Sequence, residues 1–96
     1  MELLYPPFRQ WLVQQPLDAV VGFACRSDAC PVATFLSVQF PNAGPFEVDP
    51  EFYSSTVRLP MPQWARGFVI RIDVCAEAEG SPITAQHALT LLGPEE

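Results

Sequence analysis

The chain contains no lysine and only one histidine, so the residues most often recruited for Schiff-base and proton-transfer chemistry are missing or single. It also lacks a Gly-x-Ser-x-Gly elbow, a glycine-rich phosphate loop and a His-Glu-x-x-His motif, which removes the commonest hydrolytic and nucleotide-handling constellations. No apolar run approaches the roughly twenty residues that cross a bilayer as a helix. Met1-Glu2-Leu3-Leu4 lacks the basic start of a secretion signal, and the expectation is a cytoplasmic protein with no membrane association. There is no repeat and no Gly/Ser-rich linker, so residues 1–96 are read as a single compact domain.

What is abundant is acid. Eleven Asp and Glu face five arginines, a formal net charge of −6, which disfavours direct binding of duplex DNA and attachment to anionic lipid. Eleven prolines keep every element short, because each restricts itself and the residue before it. With 49% hydrophobic residues, and aromatics spread from Tyr5 to Phe68, the chain has a core to build and is not expected to be disordered.

Three helices can be read from their start signals. Pro6-Pro7 ahead of Phe8, Trp11 and Leu12 gives apolar residues at i, i+3 and i+4 and predicts a short amphipathic helix ending before Pro16. Ser27 and Asp28 are candidate caps just ahead of Cys30-Pro31, and Val32, Phe35 and Leu36 then share a face of a helix that stops before Pro41. Thr84 caps a terminal helix with Ala85, Ala88, Leu89 and Leu92 buried and Gly93 as its left-handed cap. Between the first two, Asp18 to Cys25 reads as an extended or coil connection, with Gly22 marking a turn or a close backbone approach.

Phe46-Glu47-Val48-Asp49 and Ser55-Thr56-Val57-Arg58-Leu59 alternate in complementary senses around Asp49-Pro50-Glu51, which predicts a two-stranded antiparallel hairpin. Phe46, Val48, Val57 and Leu59 then face inward, with an acid opposite Arg58 on the outside. Residues 68–75 fit both a helical stripe and a strand's alternation. Helix is favoured, because Trp64 and Phe68 stand at i, i+4 and Ala76-Glu77-Ala78-Glu79 prolongs helical composition to Gly80. That choice leaves Ile70 and Val74 as an exposed apolar strip and a candidate contact surface. The expected fold is α+β and mostly helical: three to four short helices around the hairpin, with Trp11, Phe35, Leu36, Trp64, Phe68 and Leu89 central in the core.

Cys25, Cys30, Cys75 and His87 number a full tetrahedral zinc set, but the closest pair is C-x4-C and the other two stand alone, whereas structural zinc sites favour tight C-x2-C turns. No metal or other cofactor is expected. A thiol at a helix start is acidified by the macrodipole, so Cys30 with Cys25 as resolving partner carries an alternative reading, a cysteine-based redox or zinc-binding domain.

The preferred expectation is non-enzymatic: a small acidic interaction domain, a regulator or inhibitor, that binds a protein partner through that partner's basic surface. Glu47, Asp49 and Glu51 fall along one strand edge, where same-face residues repeat every 6.6 to 6.8 Å, roughly as phosphates do in an extended nucleic-acid strand. Glu77, Glu79, Glu95 and Glu96 add to the negative field that steers toward such a surface. Phe52 and Tyr53, in the adjoining turn, complete the expected contact patch together with Tyr5.

Overall fold

The computed structural model describes residues 3–43, 45–76 and 78–93, so Glu77, Glu95 and Glu96 lie outside the described residues. Helix α1 (Tyr5–Val13) opens with prolines in its first turn, where a missing N–H leaves no bond unmade, and buries Tyr5, Phe8 and Leu12. Helix α2 (Pro31–Gln39) begins one residue after its cap. That cap is Cys30 rather than Ser27 or Asp28: its Sγ accepts the Ala33 N–H at 3.5 Å. Helix α3 (Gln63–Cys75) settles the ambiguous stretch as helix, burying Trp64, Ala65, Phe68, Val69 and Ile72 and leaving Ile70 and Val74 exposed. It ends at Cys75, five residues short of Gly80, because Ala76 turns to extended backbone (φ −70°, ψ 139°). In helix α4 (Ala85–Leu92) the Thr84 hydroxyl accepts the His87 N–H at 3.2 Å. Gly93 closes it with φ 70° and ψ −166°, a glycine conformation that is extended rather than the compact left-handed cap expected.

Two small antiparallel sheets accompany the helices. Strands β2 (Glu47–Val48), β3 (Phe52–Ser54) and β4 (Arg58–Pro60) form a meander, so the expected two-stranded hairpin has three strands. The second turn, at Ser55–Val57, cuts the expected Ser55–Leu59 strand short and leaves Val57 exposed instead of inward. One row across the meander, Val48, Tyr53 and Leu59, faces the core. The other row sets Ser54 between Glu47 and Arg58, so no acid stands directly opposite that arginine. Arg58 instead lies 4.3 Å above the Phe52 ring.

The second sheet pairs β1 (Val20–Phe23) with β5 (Pro82–Thr84), joining residues on either side of the meander in sequence. Gly22 lies where β1 meets the start of α2, and a Cβ there would stand 2.5 Å from the Pro31 nitrogen and 2.7 Å from the Cys30 carbonyl carbon. The close backbone approach read from the sequence is therefore real.

Phe8 is the hub of the core. Its ring is fully buried, with centroids 5.3 Å from Phe35, 5.5 Å from Trp64 and 5.2 Å from Phe68, so one side chain ties α1 to α2 and α3. The expected core residues Phe35, Leu36, Trp64 and Phe68 are buried, while Trp11 and Leu89 are half-buried at its margin. Phe8→Ala should lower unfolding free energy by about 3–5 kcal/mol in a denaturant titration, and a loss under about 1 kcal/mol would show that the hub is not where the helices are held. Gly22→Ala should cost about 1–3 kcal/mol, since rigid backbone must move to admit the methyl.

Candidate functional site

The β2–β3 turn is built by Asp49. Its Oδ1 accepts the N–H groups of Glu51 at 2.9 Å and Phe52 at 2.8 Å, and its own N–H donates to the Phe52 carbonyl at 2.9 Å. An aspartate in this role replaces backbone partners that a tight reversal cannot supply. Glu47, Asp49 and Glu51 are all exposed, so the sequence places the acids correctly on the outside. Tyr53 is not part of that surface. It is 5% exposed, and its hydroxyl accepts the Leu3 N–H at 3.3 Å, because the first turn ends at Glu51 and puts Tyr53 in the inward row of β3. Tyr5 is buried too, its hydroxyl donating to the Gly93 carbonyl at 2.9 Å. Phe52 stays half-buried beneath Arg58.

Two adjoining grooves flank this edge. An open groove of about 470 Å³ runs beside Glu47, Asp49 and Arg58, with Ser27, Ser54, Ser55 and Thr56 as further polar walls. A smaller one of about 240 Å³ shares Ser27, Val48 and Asp49 with it and reaches Cys25, Cys30, Arg26 and Asp73. Asp73 Oδ1 accepts the Cys25 N–H at 3.0 Å across 48 positions of sequence, and this contact holds Cys25 at φ 59°, a left-handed backbone unusual for a side chain of this kind. Asp73 carries no local sequence signal that places it beside Cys25 and Cys30, because the pairing depends on how α3 crosses the loop.

Cys25 and Cys30 share this smaller groove, but their chemistry differs from that expected of a helix-start thiol. Burial pushes the Cys30 thiol up from 9.0 to about 11, outweighing the hydrogen bonds from Ala33 and Val32 that favour the thiolate. Cys25, though exposed, is also pushed up, first by desolvation in its groove and then by the carboxylates of Asp73 and Glu79. Both shifts reduce the thiolate available at neutral pH. Among the described residues no three His, Cys, Asp or Glu side chains are grouped so as to hold a metal ion. Among them, too, no helix is long and apolar enough to cross a membrane. Comparison of the chain with protein-family models, curated proteins and solved structures finds no match.

The raised Cys30 value means that the folded chain holds this proton more tightly than the unfolded one. The stability tied to the neutral thiol is complete below pH 9 and is lost as pH climbs toward 11, by on the order of 3 kcal/mol. Unfolding titrations across that window should show a steeper alkaline decline for the natural chain than for Cys30→Ala; parallel declines would mean that Cys30 ionises as freely in the fold as in the unfolded chain.

Proposed function

We propose that the protein is a non-enzymatic acidic interaction domain whose β2–β3 edge, carrying Glu47, Asp49 and Glu51, binds the basic surface of a protein partner. The observation that carries this reading is the state of the charges. Among the described residues the one carboxylate–arginine contact within 4.0 Å is Arg26–Asp28 at 3.7 Å, and both of its side chains are more than half exposed. Glu47, Asp49 and Glu51 thus keep their charge uncompensated by arginine, in a chain of net charge −6. Arg58, which shares a groove with Glu47 and Asp49, lies over the Phe52 ring and forms no ion pair within 4.0 Å with a described carboxylate. Uncompensated carboxylates on a rigid turn accelerate encounter with a positive surface and reject negative ones. The weakly acidic thiols supply no ready nucleophile at the neighbouring groove, which favours recognition over catalysis.

The test pairs charge removal with salt. Glu47→Gln, Asp49→Asn and Glu51→Gln together remove three charges, and asparagine at 49 keeps the side-chain carbonyl oxygen that the turn requires. A partner captured from the native host by the natural chain at about 0.05 M salt should be largely lost at about 0.5 M, where screening acts within a few ångströms. The triple variant should capture it poorly at either concentration. Equal capture by both chains would remove this edge from the interaction.

A further inference from the structure

The outer face of α3 differs in character from the rest of the surface. Gln63, Arg66, Ile70 and Val74 recur at helical spacing and are all exposed, Ile70 at 41% and Val74 at 77%. Two open grooves of about 500 and 520 Å³ lie along it and share Gln63 and Gly67. In a chain with eleven acids and five bases, the described residues lining these grooves include Arg66 and Arg71 and no carboxylate. Neither arginine has a carboxylate within 4.0 Å among the described residues.

Gly67 is the second unusual feature. Glycine inside a helix costs about 1 kcal/mol relative to alanine, so its presence at the centre of this face calls for a reason. The side chain of Arg71 folds back across it: a Cβ at Gly67 would stand 2.9 Å from Arg71 Nη1. The Arg71 Nε donates to the Leu91 carbonyl at 2.7 Å, which anchors the guanidinium at the end of α4 while its terminal nitrogens carry no bond to a described side chain. The face therefore has a fixed cation seated over Gly67, a second cation about one turn toward the helix start, and an apolar strip toward its end.

We infer that this face of α3 is a docking site for an amphipathic helix of a partner protein with an apolar seam and acidic flanks. The apolar seam lies along Ile70 and Val74, the missing side chain at Gly67 leaves room for the Arg71 guanidinium to lie against the helix, and glutamates or aspartates on the flanks of the second helix meet Arg66 and Arg71. Charge complementarity selects this occupant, since an uncharged or basic helix would leave both arginines without partners while covering them. The face contains none of the acids at the β2–β3 edge, so its occupancy stands or falls independently of the partner proposed for that edge.

The experiment follows backbone amides by nitrogen-15 NMR while adding a synthetic helical peptide with leucines along one face and glutamates on the flanks. A peptide with glutamines in place of the glutamates, and inorganic phosphate, serve as the other probes. Saturable shifts centred on Arg66, Gly67, Ile70 and Arg71, produced by the glutamate peptide alone, are expected. Arg66→Gln and Ile70→Ser, both at exposed positions that leave the core intact, should each weaken binding about two- to fivefold without changing the melting temperature. No saturable shift up to about 1 mM peptide overturns the inference. So does equal binding of the glutamine peptide, or phosphate reproducing the same shifts, which would reduce the face to a simple anion contact. Concentration-dependent shifts of these amides without peptide would assign the face to a second copy of the chain and overturn it equally.

Discussion

Everything in this small fold depends on one packing constraint, the burial of the Phe8 ring among Phe35, Trp64 and Phe68. Among the described residues no helix exceeds 13 residues, and helices of this length are marginal in water on their own. Their stability comes from the apolar face each gives to a common cluster. Edge-to-face geometry adds to simple area burial, and it fixes the relative rotation of the three helices rather than merely holding them together. Because α3 is pinned on its Trp64/Phe68 side, its opposite side is compelled outward. The arginine-flanked apolar face is thus a consequence of the core.

The same constraint positions the acidic edge. The Val48, Tyr53 and Leu59 row packs the meander onto the core, so the alternation of a strand obliges Glu47 and Phe52 to the outer side. Asp49 then has two simultaneous roles. One oxygen builds the turn through two backbone N–H groups, and the carboxylate as a whole remains exposed beside Glu47 and Glu51. Fixing a charge on a hydrogen-bonded turn reduces the conformational entropy lost when it meets a partner. The thiol loop next to it is held by Asp73, which draws one carboxylate away from the surface field and toward Cys25.

The helices were legible because their signals are local. Proline in the first turn, a capping side chain and a run of apolar residues at i, i+3 and i+4 all lie within a dozen positions, and α1, α2 and α4 follow them closely. The pairing of β1 with β5 was not legible, since it joins Val20–Phe23 to a three-residue strand some sixty positions later that itself starts with a proline. The meander was half legible. Its alternation showed, but the strand Phe52–Ser54 is too short to declare a period, and extending the Asp49–Glu51 turn through Phe52 and Tyr53 put Tyr53 on the surface instead of in the core. For the candidate site, the exposure of Glu47, Asp49 and Glu51 could be read directly, whereas the fate of Cys30 could not. Helix-start position favours the thiolate, burial opposes it, and only the packed structure reveals that burial wins.

The central claim is that the domain acts through the carboxylates of its β2–β3 edge meeting a cationic surface. Zero-length carbodiimide cross-linking of the natural complex, read by peptide mass spectrometry, tests this directly because it joins only carboxylates and amines already in contact. Partner lysines joined to Glu47, Asp49 or Glu51 are the predicted result. Cross-links confined to Asp18 and Glu79, with the three edge acids unmodified, would contradict it.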